Sequence, residues 1–365
     1  MVSAGKLRGI GNDMTKFWTV RTGRNGERTE WSFANGVVGG GWDGIPDLTH
    51  VTDREVLRGV VTEAYGGSKN QVANATGQLF TLRTRIEHGD YIVLPIRATS
   101  QVAFGQVQNG YKYLAKEQDP TRRHVIQVKW LRTDISKAVI KQDLLYQLGS
   151  ALTIFEVGNN DAAFRLDQIM KGRPDPGARS ALSVSGVSVK SDDASDPVDL
   201  AASQALDLQE VAQDEIAKFL QEDFKGHDLA ELVTALLTAE GFKCRNSPPG
   251  ADGGVDVLAG MGPLGMDSPK LVVQVKSQTS AVSDTVLQQL NGAIHRFHAD
   301  QALLVTFGGV TGPAKTYLEA QYFSIRVWTM DDILQSIYRN YPVLPNEVRA
   351  RLPLKQIWIP IPAES

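Results

Sequence analysis

Apolar residues along this chain recur at two different spacings. In the first 150 residues, short apolar runs bounded by Gly, Asp and Pro predict strands over 17–20, 91–94, 102–107 and 124–131. Apolar positions three and four apart predict helices over 53–64, 68–82 and 140–148. That mixture predicts a small, curved or barrel-like sheet with flanking helices. The second half alternates more regularly, with helices predicted over 227–240, 283–298, 312–320 and 331–339. Strands are predicted near 255–259, 270–276, 302–306 and 324–328. Strands alternating with helices imply an α/β sandwich built on a mixed sheet. Between the halves, residues 171–200 are rich in Ser, Asp, Pro and Gly and hold few large apolar side chains, too few to offset the entropy of ordering them. Helical spacing resumes at Leu208, Val211, Ile216, Phe219 and Leu220. The pattern predicts one domain over 1–165, a flexible acidic linker over 166–205 and a second domain over 206–365.

Composition narrows the class. With 365 residues, 42% of them hydrophobic and 22% charged, the chain can bury a sizeable core. Cys244 is the single cysteine, so neither an internal disulfide nor a cysteine-based zinc site is available. No apolar run approaches the roughly 20 residues that span a bilayer, and the N-terminus lacks the apolar stretch of a secretory signal. A cytoplasmic protein without a membrane partner is expected. The net charge of -3 conceals an asymmetry: residues 1–150 hold 20 basic and 14 acidic side chains, residues 151–224 hold 6 and 14, and residues 225–365 hold 12 and 13. A basic first domain is suited to phosphates, although uneven surface charge without a partner gives the same count.

The candidate chemistry lies in the second half. Asp256 ends the phrase GADGGVD, where glycines permit a tight turn into a strand. Eighteen residues on, KLVVQVKSQ supplies Gln274 and Lys276. Strand side chains alternate, so these two share a face while Val275 is buried behind them. A hairpin of this length can bring Asp256 beside the pair. Phosphodiester hydrolysis needs oxygen ligands for a hard divalent cation and a group that positions the attacking water. Asp256, the Gln274 amide and the Val275 backbone carbonyl could supply the first, and Lys276 the second. The same spacing also describes an ordinary solvated strand face.

The surrounding phrases HDLAELVTALLTAEGF, SPPGADGGVDVLAG, LVVQVKS and ALLVTFGGVTGPAKTYLEAQYFSIRVWTMDDIL, over about 227–337, resemble the Mrr-like branch of the PD-(D/E)xK nucleases. The resemblance implies a Mg²⁺-dependent endonuclease, with Mn²⁺ able to substitute, whose catalytic residues fall on Asp256, Gln274 and Lys276. Gln at the central position departs from the acidic norm of the superfamily but recurs in the Mrr-like branch. A first-helix acid often completes such sites; Asp228 and Glu231, three apart on one helix face, are the candidates, with Glu231 preferred as a further catalytic and metal-binding residue. Asp252 in the glycine-rich turn could bind metal or shape the loop. The histidines form no metal-binding motif, and Cys244 reads as core.

In the first domain, FWTVRTG, GGGWDGIPDL, GDYIVLP, VAFGQVQNGYKY and HVIQVKWLR together resemble the PUA-like group that includes EVE domains, over about 15–155. That resemblance implies a compact β-barrel with flanking helices that holds a nucleobase, often modified, in an aromatic pocket. Trp18, Trp42 and Tyr111 are the candidate stacking surfaces and Asp90 the candidate edge reader. Arg21, Lys112, Arg122, Arg123 and Lys129 could hold the backbone, since a flipped base needs stacking and nearby cations. The expectation is a modification-dependent, type IV-like restriction endonuclease acting on double-stranded DNA, as a homodimer assembled on DNA. The alternatives are a nucleic-acid binding module on an inactive nuclease scaffold and a structure-specific repair nuclease.

Overall fold

The computed structural model describes residues 15–150, 152–178, 207–248 and 254–358. Two sheets organise them. The first has the strand order β2-β5-β4-β3-β1-β6, from β1 (Phe17–Val20), β2 (Val37–Gly39), β3 (Tyr91–Ile96), β4 (Gln101–Tyr113), β5 (His124–Ser136) and β6 (Ile154–Glu156). β1 runs parallel to β3, and the other neighbours are antiparallel. The alternation read in the sequence divides its two faces. Trp18, Val20, Ile92, Val107 and Ile126 turn toward α2 (Arg54–Tyr65) and α3 (Lys69–Phe80). Phe17, Val93, Phe104 and Ile135 turn toward α4 (Gln142–Leu148) and α5 (Ala162–Met170). A seven-residue helix, α1 (Thr29–Asn35), precedes β2.

Pairing of the long strands β4 and β5 slips four times between Val102 and Tyr111; such irregularities bend a sheet and raise its twist. The curvature expected from the sequence is present, but the barrel is not closed: β2 and β6 are the outer strands, and no ladder joins them among the described residues.

Of the linker expected over 166–205, residues 166–178 are described and pack with the first domain. Leu166 and Ile169 of α5 are buried in the first domain, and Arg165 lies fully buried between Asp143 and Asp175. Asp175 also accepts the Lys141 and Gly177 amides. Asp175, which falls within the expected linker, is thus a partner of Arg165 inside the fold. Residues 179–206, most of the expected linker, lie outside the described residues.

The second sheet has the order β11-β10-β9-β8-β7, from β7 (Lys243–Asn246), β8 (Val257–Met261), β9 (Asp267–Lys276), β10 (Gln301–Thr306) and β11 (Ile325–Trp328). β9, β10 and β11 are parallel, while β7, β8 and β9 are antiparallel, the mixed sheet that the sequence predicts. Val257, Val273, Val275 and Val305 pack with α7 (His227–Ala239) and α10 (Met330–Asn340). Val272, Leu304 and Ile325 pack on the opposite face with α8 (Asp284–Arg296) and α9 (Gly312–Ala320). A short helix, α11 (Asn346–Arg351), follows.

Helix α6 (Leu208–Asp223) joins the two halves. Its Ala217 and Leu220 belong to the core of the second domain, while its acids face the first. Glu210 pairs with Arg21, Arg97 and Lys137, and Lys137 Nζ lies 2.7 Å from both Asp214 carboxylate oxygens. Arg97 also reaches Asp207 at 2.8 Å. Part of the positive charge of the first domain is therefore neutralised internally, and Arg21, expected to hold a DNA backbone, is committed to Glu210. The turn between β3 and β4 adds two bonds: Asp331 N–H donates to Ala98 O (3.2 Å) and Gln101 Nε2 to Thr279 O (2.9 Å). No described helix is long and apolar enough to cross a membrane.

Candidate active site

β8 and β9 bring the expected residues together. Asp256 stands just before β8; its N–H donates to Val273 O (2.8 Å), and its carboxylate accepts the Val275 N–H at 2.7 Å. Asp256 is thus held against the strand that carries Gln274 and Lys276. The turn leading to it needs glycine: Gly254 has φ +82°, and a Cβ there would stand 2.8 Å from Gln274 Nε2. Val275 sends its side chain into the core beneath α7, which leaves Gln274 and Lys276 on the other face. Lys276, half-buried, lies in register with Thr306 on β10.

Gln274 is the unusual member. Only 4% exposed, it has an amide oxygen without a hydrogen-bond partner among the described residues. Leaving such a group unsatisfied costs about 1–3 kcal/mol, and a neutral carbonyl oxygen is a normal ligand for a hard divalent cation. The donor set therefore fits a cation held by Asp256 and Gln274. Among the described residues, no group of three or more His, Cys, Asp or Glu side chains could hold a metal. The candidate cage therefore draws on amide and backbone oxygens beside one carboxylate.

The first-helix acids are engaged elsewhere. Glu231, about half exposed, lies 3.4 Å from His227 Nε2 and 3.6 Å from Arg351; Asp228 pairs with Arg351 at 3.1 Å. The start of α7 is nevertheless tied to the end of β9, because Gly226 N–H donates to Ser277 Oγ (3.1 Å). Asp252 lies outside the described residues. Cys244 is half-buried against the core, and burial pushes its thiol pKa up, as expected of a packing residue.

Two neighbours escaped the sequence reading. Ser277 anchors α7. Thr306, fully buried, has a hydroxyl without a partner among the described residues and stands across from Lys276. Its only signal was the apolar run ALLVT, which says nothing about register.

The expected base-pocket residues serve inside the first domain. Trp18 is 2% exposed and donates its indole N–H to Asp90 at 2.8 Å. Asp90 also accepts the Lys16 and Glu87 amides, so its acceptor capacity is largely used. Trp42 is buried in the same core. The Tyr111 hydroxyl accepts the Leu48 N–H and pairs with His124 Nδ1, and burial raises its pKa far above the ordinary phenol value. These contacts correct the expectation of open aromatic walls at Trp18, Trp42 and Tyr111. Of the expected cations, Lys112 and Lys129 are exposed.

A mixed sheet covered by helices on both faces thus carries this constellation at the β8–β9 junction. Residues 221–337 match the family model Mrr_cat, described as a restriction endonuclease. This part of the chain is an Mrr-type restriction-endonuclease domain, a hydrolase acting on DNA. Residues 18–155 match a domain of unknown function, DUF8426. No curated protein matches the chain. Among solved structures, the protein of unknown function AF1548 is 17% identical, with 34% of this chain and 77% of its own covered and a TM-score of 0.25. The MspJI restriction endonuclease in complex with a 27-mer oligonucleotide is 14% identical over 92% of this chain and 78% of its own, with a TM-score of 0.32. The DNA modification-dependent restriction endonuclease AspBHI is 16% identical over 87% and 79%, with a TM-score of 0.31. None overlays closely enough for a residue to be carried across.

Proposed function

We propose that the chain is a modification-dependent endonuclease: the first domain selects double-stranded DNA carrying a modified base, and Asp256, Gln274 and Lys276 of the second hydrolyse the phosphodiester. The buried Gln274 oxygen, without a hydrogen-bond partner among the described residues, carries the catalytic half of this reading together with Asp256 held against the same strand. Asp256, oriented by the Val275 amide, and Gln274 would hold Mg²⁺ or Mn²⁺ together with the Val275 carbonyl. Such an ion polarises a phosphoryl oxygen and lowers the pKa of its water. Lys276, on the same face as Gln274, places its ammonium where the attacking water and the developing negative charge can meet it. Glu231 would contribute only after release from Arg351.

The catalytic residues engage phosphate and metal, which are alike at every nucleotide, so base selection must come from elsewhere. The first domain, with its 20 basic residues in 1–150, is the candidate. Cutting both strands needs two active sites, so a dimer assembled on DNA completes the proposal.

The test is cleavage, with Mg²⁺, of supercoiled plasmids carrying methylated or hydroxymethylated bases. Wild type should nick and linearise them, Asp256→Asn and Lys276→Ala should lose at least about 100-fold in rate, and chelation should stop the reaction. Undiminished cleavage by both variants would contradict the assignment; no metal-dependent cleavage by the wild type would favour the inactive scaffold.

A further inference from the structure

The first domain holds a second cluster of cationic and aromatic side chains. Arg28 immediately precedes α1, its backbone fixed by bonds to Thr22 O and from Ser32 N–H, both 2.9 Å. Its side chain lies along Gly40 and Gly41, which have φ of +89° and +110°. A Cβ on Gly40 would come within 3.0 Å of Arg28 Nε and one on Gly41 within 3.3 Å of Nη2. The loop is itself pinned, since Gly40 N–H donates to His124 O and Gly41 N–H to Thr121 O, both at 2.7 Å. Glycine here lets the guanidinium lie against the backbone.

Despite this placement, Arg28 Nε is buried without a hydrogen-bond partner among the described residues. Arg122 stands nearby, its guanidinium 5.4 Å from the Trp31 ring centroid. Arg122 Nε lies 3.1 Å from Asp119 Oδ2 but lacks the alignment of a hydrogen bond. Asp119 already accepts from the Thr121 amide and hydroxyl at 2.9 and 2.6 Å. Glu27 and Asp119 are the acids acting on Arg28 through space. Burial lowers the Arg28 pKa, whereas Arg97, held by Glu210 and Asp207, is raised despite burial. Arg28 thus lacks the close carboxylates that satisfy Arg97.

Resting on the proposed function, we propose that Arg28, Arg122 and Trp31 form a subsite for a DNA backbone phosphodiester, the arginines taking its oxygens and Trp31 lying beside the adjoining sugar and base. Guanidinium forks match phosphate oxygens bidentately, and an aromatic beside them suits a nucleotide better than a free anion. The location agrees: Glu30, between Arg28 and Trp31, bridges to Lys315 of the nuclease domain at 2.7 Å. A strand held here therefore lies where the two domains meet.

The test is binding of the full chain, without divalent ion, to labelled duplexes that are unmodified or carry a modified base, across a salt series. Arg28→Gln and Arg122→Gln should each lower the slope of log affinity against log salt by about 1, equally on all duplexes. Arg122 is a third exposed, so its variant decides the matter if Arg28→Gln fails to fold. An unchanged slope in folded Arg122→Gln overturns the subsite. So does inorganic phosphate, at matched ionic strength, if it abolishes the difference between wild type and variants, because the site would then be one for the free anion. The two claims separate cleanly. Wild-type preference for a modified duplex with unchanged variant slopes removes the subsite alone. Equal wild-type binding to every duplex with lowered variant slopes removes base selection alone. A chain that binds no duplex overturns both.

Discussion

Gln274 concentrates the proposed chemistry in one atom, the amide oxygen of a residue only 4% exposed, which has no hydrogen-bond partner among the described residues. If that oxygen serves a cation, Gln274→Glu should keep divalent-dependent cleavage, since it adds a carboxylate at the same place. Gln274→Leu, which keeps the volume but removes the oxygen, should lose about 10–100-fold or more. Initial cleavage rates over a Mg²⁺ titration distinguish the two, and full activity in Gln274→Leu would remove Gln274 from the site. The spacing of Asp256, Gln274 and Lys276 was legible because a strand has a period of two and the flanking phrases resemble a known family. Thr306 was not, since its place opposite Lys276 depends on the register of β9 with β10. The tryptophans misled for a similar reason. Trp18 finds its partner Asp90 72 residues away, and no local pattern reveals that an indole N–H is already satisfied.

Among the elements, α6 shows most clearly what sequence does and does not disclose. Its apolar spacing predicted a helix leading into the second domain, and Ala217 and Leu220 fulfil it. The sequence assigns its acids no partner, yet Glu210 is 1% exposed and surrounded by Arg21, Arg97 and Lys137. Burial alone would raise its pKa, but Lys137, Arg21 and Arg97 outweigh that and hold it down to about 2. Removing one partner of such a group leaves buried charge uncompensated, so Glu210→Gln should cost about 3 kcal/mol, read as a lower denaturant midpoint. Because the folded pKa lies below the ordinary 4.5, the stabilisation is complete above that pH and lost as the pH falls toward 2. Asp214, raised by burial, titrates in the opposite sense. Comparing wild type with Glu210→Gln over pH 2–5 isolates the Glu210 contribution; parallel curves would show that Glu210 contributes nothing there. The short elements α1, β2, β6 and β7 were not predicted, since at three to seven residues a segment shows little periodicity, and β1 was read from its bounded apolar run instead. The slipped pairing of β4 with β5 explains why a barrel-like pattern became a curved open sheet.

Across the whole molecule, buried ion pairs tie the first domain to α6, and Gln101 Nε2 ties it to Thr279 O in the loop that follows Lys276. The alternation of strands and helices in the nuclease half could be read from the pattern; the joining surface could not, because it is made of charges distant in sequence. The proposal that a metal-dependent site engages phosphate alone while the basic first domain selects the base leads to one measurement. Otherwise identical duplexes, unmodified or carrying methylated or hydroxymethylated bases, are incubated with the full chain and Mg²⁺, beside Lys276→Ala. Wild type should cut at least one modified duplex faster than the unmodified one, by about 10-fold or more for a preference worth about 1.4 kcal/mol, and Lys276→Ala should cut none. Equal cutting of every duplex, or cutting that survives Lys276→Ala, would contradict the proposal.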